Sequence, residues 1–160
     1  ASKGWNLLLT SRREERLQTV AVACMSLGAV VHVAAWDMRD REATDQGVQT
    51  LMNAAGISAV AGGTPLVALV NNAGLAVGKG PFDVGLEDDW NRMLDTNVKG
   101  LLFLARACVA YMCSGSRMVN MGSIAGKQVY PGGNVYCASK HAVDALSQAM
   151  RIDLVDRGIG

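Results

Sequence analysis

The chain has 160 residues, of which 50% are apolar and 18% charged. That length implies one domain, and that composition supports a buried core and argues against disorder. Fifteen basic against fourteen acidic side chains leave a net charge of +1, which gives no electrostatic reason to expect a nucleic acid or an anionic membrane as partner.

In chain order, residues 5–10 are mostly leucine and predict a short buried strand. Residues 12–27 predict a helix with its charges early and apolar residues late, closed by Gly28 as a left-handed cap. Residues 29–35 predict a second strand, β-rich through Val30, Val31 and Val33 and ending near Asp37. The uncharged run 19–36 approaches the length of a bilayer span. Helix, cap and strand account for it better, because Ser26, Gly28, His32 and five alanines would make a weak span. The first residues open no apolar run of the signal-peptide kind.

Residues 40–55 predict an amphipathic helix with Val48, Leu51 and Met52 on one face. Residues 65–70 form a continuous apolar run and predict a third strand. Gly62-Gly63-Thr64 and residues 78–81 read as loops. Residues 87–112 predict one long helix striped by Trp90, Met93, Leu94 and Val98. A fourth strand at 117–121 and a second long helix at 135–155 follow, and residues 158–160 lead toward a further strand. Alternating strands and helices, with uniformly apolar strands, predict a parallel sheet covered on both faces.

Cys24, Cys108, Cys113 and Cys137 show no paired short spacing and read as free thiols of a reducing compartment. The first three read as core residues. Cys137 and His141 share a helix face, but two ligands make a poor zinc site. His32 reads as structural, Lys99 and Arg106 as solvated helix positions.

Four features then fall in order. Asn71-Asn72-Ala73-Gly74 follows the third strand, and Asn97 lies in Asp95-Thr96-Asn97-Val98 on the long helix. Ser123 follows the fourth strand, and Tyr136 with Lys140 forms Tyr-x-x-x-Lys thirteen positions later. Each alone is weak: a single tyrosine is more often a core-edge aromatic, a single lysine or asparagine a solvated helix residue, a single serine a turn former. Together, each in its strand or helix context, they make the chain resemble the short-chain dehydrogenase/reductase family over essentially its whole length. The segments Gly122-Ser123-Ile124-Ala125-Gly126 and Tyr130-Pro131-Gly132-Gly133-Asn134-Val135-Tyr136-Cys137-Ala138-Ser139-Lys140 are similar to the branch that oxidises 3-hydroxy acids such as serine. Residues 71–78 are similar to the same branch.

The resemblance implies an α/β fold, a Rossmann-type doubly wound parallel sheet in three layers, with residues 1–160 as a single partial dinucleotide-binding domain. A free phenol holds its proton too tightly for easy cycling near neutrality. Lys140 stands one helical turn from Tyr136, and a cation there favours the phenolate. Tyr136 is therefore the expected general acid/base. The resemblance has Lys140 also hold the nicotinamide ribose, Ser123 hydrogen-bond the substrate oxygen, and Asn97 hold a water that relays protons to Lys140. Asn71, Ala73 and Gly74 would lie beside the cofactor, where glycine permits close backbone approach. Asp37 would accept from the adenine amine, with Met38 adding a backbone contact; the alternative for Asp37 is a helix N-cap.

Ser11-Arg12-Arg13 follows the first predicted strand, where NAD users place a carboxylate on the ribose hydroxyls. Arginines there suit a 2′-phosphate, so Arg12 and Arg13 point to NADP; the alternative is a basic helical turn exposed to water. The expected partners are a small-molecule substrate and, through the two long helices, a second or further copies in a homodimer or homotetramer. The expected location is cytoplasmic, with no metal. Rival readings are a general carbonyl or 3-oxoacyl reductase, and a non-catalytic nucleotide-binding module on the same fold.

The sequence holds one Gly-x-x-x-Gly-x-Gly spacing, Gly74, Gly78 and Gly80, and it follows the third predicted strand; none lies near the first. In the family that turn follows the first strand and cradles the pyrophosphate. The resemblance therefore makes the chain a fragment lacking the first strand, the glycine turn, the C-terminal strands and the substrate lid. In the strand order 3-2-1-4-5-6, loss of the first strand opens a gap with unpaired backbone on both sides, unless the flanking strands rejoin directly.

Overall fold

Two pairs of parallel strands, each packed on helices, form the fold of the computed structural model, which describes residues 1–59 and 62–160. Strand β1 (Leu7–Ser11) pairs with β2 (Val31–Ala35), Leu7 opposite Val31 and Ser11 opposite Ala35. Strand β3 (Ala68–Asn71) pairs with β4 (Arg117–Asn120), Ala68 opposite Arg117 and Asn71 opposite Asn120. Among the described residues no ladder joins β1 to β3, so the flanking strands do not rejoin and the expected gap is present.

Helices α1 (Glu14–Met25) and α2 (Arg41–Ala54) follow β1 and β2. Gly28 takes the left-handed conformation (φ 84°) after α1, as its capping role requires. Asp40, not Asp37, caps α2 by accepting from the Ala43 N–H at 3.0 Å. Val48, Leu51 and Met52 are buried on one face of α2. Gly47 on the same helix lies under the Trp36 ring, whose atoms would stand within 2.7 Å of a Cβ there.

The single long helix expected over 87–112 is three pieces: α3 (Glu87–Leu94), a π turn (Asp95–Gly100) and α4 (Leu101–Val109). The wider π turn rotates Thr96, Asn97 and Gly100 inward together, while Leu94 is 39% exposed. The stripe through Leu94 is thus corrected. Gly100 faces Met38, whose carbonyl would lie 3.2 Å from a Cβ at Gly100, so the π turn packs against the end of β2. Leu104, Ala105 and Cys108 of α4 join Val48, Met52, Leu69, Met112 and Ile159 in the main core.

Helix α5 (Asn134–Leu154) completes the architecture, packs on the 124–126 turn, α3 and the π turn, and reaches β4 through Ser147 and Asn120. The expectation of strands covered on both faces is corrected. In β3, Leu69 and Asn71 are buried, but Val70 is 56% exposed and its register partner Val119 47%. One face of this sheet is therefore packed and the other open. Cys108 and Cys137 are buried, Cys24 is half-buried and Cys113 is exposed, which corrects Cys113 as a core residue. No helix among the described residues is long and apolar enough to cross a membrane.

Candidate active site

The site is assembled at the C-terminal ends of β3 and β4, where parallel strands present their loops to one edge. Asn71 and Asn120 face each other across the ladder, and Asn71 Nδ2 donates to Asn120 Oδ1 at 2.8 Å. Asn120 Nδ2 donates to Ser147 Oγ of α5 at 2.9 Å. Both strand ends are thus tied to the helix that carries Tyr136 and Lys140.

Lys140 is buried, and its Nζ donates to the Met121 carbonyl at 2.8 Å. Met121 lies two residues before Ser123, so this bond anchors the ammonium beside the serine-bearing turn. A Cβ on Gly74 would stand 3.6 Å from Lys140 Nζ and 3.3 Å from Asn97 Oδ1. Gly74 therefore passes over both groups at a distance that suits a residue without a side chain. Gly126, three residues after Ser123, meets the helix still more closely: its Cβ would lie 2.6 Å from the Lys140 carbonyl oxygen. Ser123 is exposed, and its Oγ accepts from the Ala125 N–H at 3.2 Å, which orients the hydroxyl at the turn. The hydroxyl of half-buried Tyr136 has no hydrogen-bond partner among the described residues.

Asn97 is 1% exposed, which overturns the reading of it as a solvated helix residue. Its Oδ1 accepts from the Leu75 N–H at 2.8 Å, and its Nδ2 donates to the Leu75 carbonyl at 2.9 Å and to Ser139 Oγ at 3.0 Å. The amide thus straps the 74–75 backbone to α5, and both its N–H groups are engaged. Sequence reasoning missed Ser139, Met121, Asn120 and Lys127. Lys127 Nζ contacts Asp144 at 2.7 Å, pins the turn after Ser123 to α5, and holds the Asp144 carboxyl below its usual range. Ser139 could have been found, since it occupies the Tyr-x-x-x-Lys segment; the others carry no local signal.

A second region opens from this one toward β1 and β2. A cleft of about 270 Å³ is lined by Arg12, Arg13, Asp37, Met38, Asn72, Ala73, Gly74 and neighbouring residues. Arg12 and Arg13 sit at the start of α1 with no ion-pair partner among the described residues. Asp37 carries an ion pair with Arg39, whose Nη2 lies 2.7 Å from Oδ2. That guanidinium holds the Asp37 carboxyl below its usual range. Of the expected cofactor residues, Asn71, Tyr136 and Lys140 are absent from the cleft lining; Asn71 and Lys140 are buried and Tyr136 is half-buried. Thr10 Oγ1, Trp36 Nε1 and Thr96 Oγ1 are buried without hydrogen-bond partners, and all three residues border this cleft. Unsatisfied polar atoms, two unpaired arginines and close-passing glycine backbone together fit a polar, anionic ligand with a flat ring system. Among the described residues, no three His, Cys, Asp or Glu side chains gather as metal ligands would.

The short chain dehydrogenase model matches residues 1–160. The chain is 40% identical over 163 residues to sulfoacetaldehyde reductase 2 of Chromohalobacter salexigens, covering 99% of this chain and 61% of that protein. It is 37% identical to the NADP-dependent 3-hydroxy acid dehydrogenase YdfG of Shigella flexneri, covering 95% of this chain and 58% of the relative. The closed form of a serine dehydrogenase complexed with NADP+ superposes with a TM-score of 0.81 at 35% identity, over 98% of this chain and 60% of that one. The chain thus spans about three-fifths of the length of these relatives. A family match over every residue, with the motifs seated at the strand ends where such a site is built, establishes that this chain belongs to the short-chain dehydrogenase family.

Proposed function

We propose that the chain is the cofactor- and catalysis-bearing part of an NADP-dependent oxidoreductase acting on a small hydroxy or oxo acid. NADP, held by the cleft residues, would be the donor or acceptor of the hydride. Tyr136 exchanges a proton with the substrate oxygen, and Ser123 holds that oxygen by a hydrogen bond. Lys140, fixed to the Met121 carbonyl, holds its amine one helical turn from the phenol. Asn97 acts through the backbone. Its amide holds the 74–75 strap against α5, and the π turn around it would hold the water that relays protons to Lys140.

The observation that carries the reading is the buried ammonium of Lys140, clasped between the β4 end and the Gly74 backbone, one helical turn from an unpartnered phenol. Arg12 and Arg13 would take the 2′-phosphate, Asp37 the adenine amine, Met38 a backbone contact, and Ala73 and Gly74 the close approach of the cofactor. Asn71 supports them from below through Asn120. The relatives' names favour acids with the reacting carbon close to a carboxylate or sulfonate. A cytoplasmic homodimer or homotetramer packed through the long helices is part of the same proposal.

The test is Tyr136→Phe in the full-length gene product, assayed with 3-hydroxy acids, sulfoacetaldehyde and simple alcohols. Turnover should be abolished while NADPH binding stays within about twofold of the parent, since the substitution removes one hydroxyl from the ring. Unchanged turnover would remove Tyr136 from the chemistry. A parent that prefers simple alcohols would replace the acid reading with that of a general carbonyl reductase.

A further inference from the structure

Arg39 grips Asp37 with three donors. Its backbone N–H reaches Oδ1 at 3.0 Å, its Nε lies 3.1 Å from Oδ1 and 3.0 Å from Oδ2, and its Nη2 lies 2.7 Å from Oδ2. A carboxylate offers about four acceptor positions. Three donors leave room for roughly one more, which matches a single amine N–H entering from the cleft that Asp37 lines. Arg12 lines the same cleft and its charge is felt at the Asp37 carboxylate, yet the two form no ion pair. Asp95 and Asp88 favour the Arg39 cation from the side of the π turn and α3.

We propose that Arg39 is a positioning residue that keeps the Asp37 carboxylate off Arg12, so that one end of the cleft presents an acceptor to a base amine while the other keeps a free guanidinium for a phosphate. The inference rests on the NADP reading above. Without Arg39, the half-exposed Asp37 side chain has one strong cation left within reach, Arg12. A carboxylate paired with Arg12 would neutralise the charge offered to the 2′-phosphate and turn away from the base. Arg39 would then set cofactor choice without touching the cofactor.

The experiment measures dissociation constants for NADPH, NADH and the hypoxanthine analogue of NADPH by fluorescence titration of the full-length gene product. The variants are Arg39→Met, Arg39→Lys and Arg39→Met combined with Asp37→Asn. Arg39→Met should lower the preference for NADPH over NADH by about tenfold, the size of one lost charge-assisted contact, and should erase discrimination against the hypoxanthine analogue. Arg39→Lys keeps the charge without the two-pronged fork and should fall between parent and Arg39→Met. The decisive arm is the double variant. Removing the carboxylate's charge should restore the NADPH-over-NADH preference, because nothing remains to capture Arg12, while discrimination of the base stays lost. A scaffolding role would lower the melting temperature and leave both ratios unmoved. Unchanged ratios in folded Arg39→Met, or no rescue in the double variant, would overturn the inference. A parent that shows no NADPH preference would instead sink the cofactor reading on which it rests.

Discussion

Replacing Asn97 with alanine removes three hydrogen bonds at once, two to the Leu75 backbone and one to Ser139 Oγ. The Leu75 N–H and carbonyl lose the partner that pairs them, and alanine offers neither a donor nor an acceptor. Each stranded group costs about 1–3 kcal/mol when water cannot replace its partner. Leu75 is only half-buried, so the low end applies, and the sum is about 3 kcal/mol. For a protein of this size or somewhat larger, that corresponds to a fall in Tm of roughly 6–12 °C. Ser139→Ala removes one of the three bonds, together with the Ser139 donation to the Tyr136 carbonyl at 2.7 Å, and should lose about 1–2 kcal/mol. Urea denaturation of the parent, both single variants and the double variant gives the coupling, expected near 1 kcal/mol. Asn97→Ala within 1 kcal/mol of the parent would mean the strap does not hold, and the placement of Gly74 beside Lys140 would lose its support.

Gly126→Ala forces a methyl group onto the Lys140 main chain, which cannot swing aside; a loss of about 1–3 kcal/mol and a fall in turnover are expected, measured by denaturation and steady-state kinetics. The Cys108 thiol is pushed up to about 12 by burial, so native protein at pH 8 should alkylate first at exposed Cys113, with Cys108 modified only on unfolding; peptide mass mapping would show the order. The Asp37 carboxyl is held below its unfolded value of 3.8, so its pairing with Arg39 contributes fully above that pH and is lost as pH falls through the lower folded value. Because the pair is partly exposed, the stability difference between parent and Arg39→Met should be at most about 1 kcal/mol near neutrality and should vanish at the acid end of a pH series. Arg12→Ala should weaken NADPH more than NADH and flatten the salt dependence of NADPH binding; equal effects on both cofactors would assign the 2′-phosphate elsewhere.

The parts legible in the sequence are those whose signal is short and periodic. The faces of α2 and the Gly28 cap follow from spacing and backbone sterics alone. Tyr136 and Lys140 are readable because one helical turn puts them together whatever else surrounds them. The π turn was not legible: over six residues its apolar spacing does not differ enough from that of an α-helix, and its cause is tertiary, with Asn97 drawn to Leu75 and Gly100 set against Met38. The open face of β3 was hidden for a related reason. A run such as Leu66-Val67-Ala68-Leu69-Val70 is apolar on both sides and does not say which side is packed. The sequence offers Asp37 as a cap for α2, and only the fork of Arg39 on Asp37 and the Asp40 bond to the Ala43 N–H show why Asp40 takes the role. Arg39 itself sits in no motif, and its importance arises from the carboxylate it meets.

Among the described residues the two ladders share no backbone hydrogen bond, so their mutual hold comes from side chains, chiefly α2 against α4. Amide protons of β1–β2 and β3–β4 should therefore exchange as two separate cooperative groups, each with its own opening free energy. The cleft takes its walls from both groups: Arg12 and Asp37 from one, Gly74 and Thr96 from the other. A molecule bound across it acts as a rivet, slowing exchange on both sides together and turning two independent openings into one.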